Sequence, residues 1–131
     1  MDPLDLVGEP PGLAGAVCEA FLCEPLVWEG AVEASANVSY LRFGGAWHRL
    51  YFDHGIIFWR PSEGPPPVEP GDEVPERLDV AAEAGVAGVV LEEYRMEPTA
   101  RGSRVTFRFA NGGRIVVEDT DDRTHYRTRA A

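Results

Sequence analysis

The sequence predicts an α+β domain: an N-terminal helix packed on two antiparallel β-meanders, arranged as a sandwich or a partly closed barrel. Three patterns predict it. An apolar stripe recurs at four-residue steps between Gly12 and Glu24, and the period changes to two from Leu26 onward. Glycine-containing turns then separate the alternating runs.

In chain order, residues 1–11 carry proline and aspartate and read as a loose arm. Leu13, Val17 and Phe21 then form the stripe, with Ala14, Cys18 and Leu22 one position behind. Pro10 and Pro11 precede it and Pro25 ends it, which predicts one short amphipathic helix. Leu26 to Ala34 and Val38 to Phe43 read as strands, followed by a Gly44-Gly45 turn that accepts positive φ at both positions. Ala46 to Phe52 returns antiparallel, Asp53-His54-Gly55 turns, and Ile56 to Arg60 completes the first meander.

Residues 61–77 contain Pro65-Pro66-Pro67 and several acids, and read as an extended acidic loop lying over the surface or over a partner. Leu78 to Ala84 suits a short helix or strand. The second meander follows: Val86 to Met96, a turn at Thr99 to Gly102, Ser103 to Ala110, a turn at Asn111-Gly112-Gly113, and Arg114 to Thr120. Residues 121–131 read as a polar, frayed tail. The 131 residues, 44% of them apolar, suit one compact domain with a core large enough to fold without staples.

Composition excludes some chemistry. All 12 basic residues are arginine, so there is no lysine for a Schiff base or a phosphate loop. Cys18 and Cys23, spaced C-x4-C, are too few for a closed zinc site and read as small buried residues in a reducing compartment. No nucleophile elbow, dinucleotide fingerprint or His-Glu-x-x-His motif occurs. No cofactor is called for.

The formal charge of −10 is unevenly spread. Residues 1–36 hold seven acids and no base, and residues 61–100 hold ten acids and two arginines. Residues 101–131 reverse the balance, with seven arginines and four acids. A net negative field disfavours nucleic acid and favours a basic protein partner. The acidic N-terminal residues do not fit a secretory signal, and no apolar run approaches a membrane span, so a cytoplasmic location is expected.

One constellation suits binding. Around a Gly44-Gly45 turn, Arg42 faces Trp47, Tyr40 faces Arg49 and Val38 faces Tyr51, which places these six side chains on one side of the hairpin. The other side carries Leu41, Phe43, Leu50 and Phe52 and is core. Trp59 joins the arginine–aromatic face if the next turn holds the matching register; Phe58 joins it if the register slips by one. Tyr40, Arg42, Trp47, Arg49, Tyr51 and Trp59 are therefore the expected binding residues, suited to cation–π contacts.

His48, Asp53 and His54 invite a metal or acid–base reading. Yet His48 falls on the core side and His54 at the tip, about 20 Å apart at ~3.3 Å per residue. Glu92 and Glu93 are adjacent on a strand and point to opposite sides, so they form no catalytic carboxylate pair. Glu93, Arg95 and Glu97 instead face Arg104 and Arg108 across the second meander.

Two functions follow. The first is a non-enzymatic interaction module, inhibitor- or immunity-like, covering a basic protein, with homodimeric self-association expected alongside. The second is a small-ligand or enzymatic domain whose pocket is lined by Trp28, Tyr40, Trp47, Tyr51 and Trp59. In that pocket Arg42, Arg49, His48 and Asp53 would grip an anion.

Overall fold

Period-two structure governs nearly all of the chain in the computed structural model, which describes residues 4–131. The first sheet contains β1 (Leu6–Val7), β2 (Cys18–Trp28), β3 (Ala31–Phe43), β4 (Ala46–Asp53), β5 (Ile56–Ser62) and β6 (Leu78–Asp79). Its order is β1-β5-β4-β3-β2-β6, with only β1 parallel to its neighbour. After α1 (Val80–Ala84), the second sheet is an antiparallel run of β7 (Leu91–Thr99), β8 (Gly102–Phe109), β9 (Arg114–Thr120) and β10 (Arg123–Arg129).

The α+β expectation is therefore corrected: the fold is almost all β, and no N-terminal helix packs on the meanders. Residues 18–24 of the expected helix fall within β2, paired antiparallel with β3. The physical reason is a bulge. Register shifts between Cys18 and Ala20, so the buried side chains of β2 begin Cys18, Phe21, Cys23. One extra residue in a strand turns a spacing of two into three and imitates a helical stripe. Val17, counted in that stripe, is exposed. Pro25 lies inside β2 at a second register shift, where its missing N–H removes no ladder bond.

The only helix among the described residues is α1, a single turn capped by Asp79, whose carboxylate accepts from the Ala82 N–H at 3.1 Å. The chain ends are also more ordered than the sequence suggests. Leu6–Val7 of the expected loose arm pairs with Ile57 and Phe58. The expected frayed tail supplies β10, paired to β9 from Arg123 to Arg129.

The two sheets pack face to face over one core. Phe21 of β2 meets Phe107 of β8 edge-on, with ring centroids 5.1 Å apart. Tyr94 stacks on Phe107 at 5.7 Å and meets the Trp59 ring at 5.6 Å. One margin is sewn by backbone: Val17 bridges Val90, Cys18 N–H donates to Val89 C=O and Leu91 N–H donates to Ala16 C=O. The other margin is sewn by side chains, with Tyr126 N–H donating to the Ser35 hydroxyl and Arg123 pairing with Glu33. None of the described helices is long and apolar enough to cross a membrane.

Phe107→Ala should cost about 3–5 kcal/mol, because the site is closed on all sides and cannot collapse. Urea denaturation would show it as a lower midpoint with unchanged slope. Trp28→Ala, outside the core, should stay within about 0.5 kcal/mol of the parent.

Candidate functional site

The first meander closes through the Gly44-Gly45 turn with φ of 56° and 82°, which fixes the register of the arginine–aromatic hairpin. Arg42 stands opposite Trp47, and Tyr40 opposite Arg49. Tyr40, Arg42, Trp47, Arg49 and Tyr51 therefore share the outward face of the first sheet.

Trp59 does not join them. The next turn holds two residues, His54-Gly55, and pairs Asp53 with Ile56, so Phe58 stands opposite Tyr51 and Trp59 opposite Leu50. Trp59 is 2% exposed within the core, with its Nε1–H directed at the Met96 sulfur 3.2 Å away. Phe58 takes its place and stacks on Tyr51 at 4.9 Å.

Each arginine on this face lies over a ring. Arg49 is 5.3 Å from the Tyr51 centroid, Arg60 is 5.8 Å from Phe58, and Arg42 is 6.0 Å from Trp47. Arg49 and Arg60 face each other across β4 and β5. Among the described residues neither has a carboxylate within 4.0 Å. The Nε atoms of Arg42 and Arg49 are buried with no hydrogen-bond partner among those residues.

The proline-rich segment runs back across part of this face. A Cβ on Gly64 would sit 3.2 Å from the Trp47 indole, so the backbone lies directly on that ring. Arg77 lies 6.0 Å from the Tyr40 centroid and is held by Glu24 at 3.2 Å and by the Pro66 carbonyl at 2.8 Å. Tyr40 is consequently only 5% exposed. This strap covers two of the six expected binding residues, Trp47 with its backbone at Gly64 and Tyr40 with the Arg77 side chain. The five side chains line no shared cavity: the principal depressions of the described residues include none of Tyr40, Arg42, Trp47, Arg49 or Tyr51.

A second feature escaped the sequence reading. Leu26 to Ala34, expected as one strand, is the distal half of a long hairpin: β2 ends at Trp28, Glu29-Gly30 turns with φ of 50° and 78°, and β3 begins at Ala31. Neither β4 nor β6 reaches this end, so its tip projects beyond the first sheet, while β10 meets β3 at Glu33 and Ser35. Trp28 is 66% exposed and Val32 58%, with Leu26 and Val27 also exposed. A depression running along it to the turn is lined by Glu24, Glu29, Glu73 and Val74. The signal was present as Glu-Gly between two apolar runs.

The polar clusters are simpler. His48 is not part of the Asp53–His54 group; Asp122, from the β9–β10 turn, joins it. His54 Nδ1 is 2.7 Å from Asp53 Oδ1, and the His54 N–H donates to Asp122 at 3.0 Å. All three are exposed, and one ligand atom from each lies within 4.8 Å of the others. The hydrogen bond to Asp53 raises the pKa of His54 above its ordinary value. The only catalytic nucleophile candidates of high intrinsic reactivity are silenced by burial, which pushes the Cys18 and Cys23 thiols up to about 12.

No protein-family model, curated protein or solved structure matches this chain.

Two outcomes follow from these environments. Neither cysteine should react with Ellman's reagent at about pH 8 in the native protein, and both should react in urea. The His54 ring should titrate above 6.5 by NMR, so more of it is charged near neutrality, and Asp53→Asn should lower that midpoint.

Proposed function

We propose that the chain is a non-enzymatic binding module that docks a basic protein partner through the free end of the β2–β3 hairpin. One observation carries the reading: Trp28 is 66% exposed at the tip of a hairpin that projects beyond the first sheet, beside Leu26, Val27 and Val32. Every other tryptophan and phenylalanine of the described residues is at least partly covered. Tryptophan buries roughly 150–250 Å² when a partner covers it, and such residues dominate interface energetics. Clustered exposed apolar side chains of this kind mark interaction surfaces.

Charge supplies the partner's chemistry. Glu24, Glu29 and Glu73 line the depression along the arm and Glu33 flanks it on β3; Glu24 and Glu33 pair with Arg77 and Arg123, which leaves Glu29 and Glu73 without an ion-pair partner among the described residues. An acidic rim around an apolar centre steers a basic surface and excludes acidic ones. The competing small-ligand reading needs Trp28, Tyr40, Trp47, Tyr51 and Trp59 to converge. Trp28 stands at the arm's tip, Trp59 lies in the core and the strap occupies Tyr40, which removes its support.

Capture from cell extract with the parent and a Trp28→Ala/Val32→Asp chain, run side by side, tests the reading. A partner of basic isoelectric point should bind the parent and bind the variant at least ~30-fold more weakly, the effect of losing one hot spot. Its affinity should fall as salt rises. A partner held equally by both chains, or an affinity indifferent to salt, would overturn the proposal.

A further inference from the structure

The outward face of the second sheet is a basic platform in an acidic protein. Register places its side chains in three rows across the four strands. One row reads Glu93, Arg108, Arg114, Arg129; the next reads Arg95, Thr106, Val116, Arg127; the third reads Glu97, Arg104, Glu118, His125. Six arginines thus stand against three glutamates, in a chain whose formal charge is −10.

The glutamates are already shared. Glu93 pairs with Arg108 at 2.8 Å and Arg95 at 3.5 Å, Glu97 pairs with Arg104 at 2.9 Å, and Glu118 serves both Arg104 and Arg127. Arg114 and Arg129, directly opposite each other, have no carboxylate within 4.0 Å among the described residues. Like charges opposite one another in a ladder are destabilising. Charges on β10 guard a free sheet edge, which accounts for Arg129 but not for Arg114 on the interior strand β9. Two adjoining depressions run over this face, sharing Arg114, Val116 and Arg127.

The chain also carries the complement. Residues 63–76 of the strap hold Glu63, Glu69, Asp72, Glu73 and Glu76 and no base. None of the five forms an ion pair among the described residues. The strap lies on the outward face of the first sheet, at Trp47 and Tyr40, whereas the arginines lie on the outward face of the second. Two sheets packed face to face turn these surfaces away from each other, so they cannot meet within one molecule.

We infer that the arginine face of one copy docks the acidic strap of a second copy, in a head-to-tail contact distinct from the apolar arm. An extended, proline-rich segment presents spaced carboxylates to guanidinium forks with little conformational entropy to lose. A nucleic acid fits less well: the three rows contain no tryptophan, tyrosine or phenylalanine on which bases could stack, and their one imidazole, His125, accepts from the Ser35 N–H at the margin. The contact joins two different surfaces, so it need not close into a dimer and can extend with concentration.

Sedimentation velocity at about 20 mM and about 300 mM salt, across a concentration series, tests the inference. The parent should self-associate at low salt and dissociate at high salt. Arg114→Glu/Arg129→Glu should weaken association at least about tenfold, as should Glu69→Arg/Glu73→Arg, whose changes lie outside any strand and leave the fold intact. Mixing the two variants should restore association, because the reversed charges again match. Trp28→Ala should have no effect, which separates this contact from the arm. A parent that stays monomeric throughout, or association that survives the arginine reversals, would overturn it. So would binding of a single-stranded oligonucleotide that depends on Arg114 and Arg129 without self-association.

Discussion

The contact of Phe21 with Phe107, extended through Tyr94 to Trp59, holds one sheet against the other. These rings come from β2 and β5 of the first sheet and from β7 and β8 of the second, and their burial is an apolar gain that opposes the chain's conformational entropy. Everything outward follows from it. Once alternate residues of each strand are committed to this interior, the remaining residues must form the two exposed faces, and those faces are where the arginines stand.

The two exposed faces then meet different fates. On the first sheet, the strap crosses the surface, rests on Trp47 and holds Arg77 over Tyr40. Binding residues read as an open platform are thereby turned in part into an intramolecular contact. On the second sheet the arginines stay mostly exposed among the described residues, and they compete for three glutamates. The net acidity of the chain therefore conceals a segregated surface, acidic along the strap and arm and basic on the far side. Segregation of this kind steers partners by orientation, which a single net charge cannot describe.

Chemistry within the chain is quiet by comparison. Both thiols are buried and held protonated, and the one cluster among the described residues able to present several ligand atoms is an exposed set of turn residues bonded to one another. What the surface offers instead is shape: a projecting hairpin with a bare indole and a charged sheet face. In the proposed binding role, apolar burial would supply affinity and charge would supply selectivity.

The sequence alone determined the local pairings. The glycine turns and alternating runs specified which residues of β3 and β4, and of β7 and β8, stand opposite each other, because a two-residue turn leaves one register that buries the apolar side. It could not reveal the bulge in β2. An inserted residue changes the apolar spacing in the same way a helix does, and only pairing with β3 distinguishes them. Nor could it place Trp59, since a turn of two residues rather than three moves every following side chain to the opposite face. The seating of the strap, the freedom of the arm and the division of charge between opposite surfaces were decided by tertiary structure, because each depends on which strands end where and on what the neighbouring strands leave uncovered.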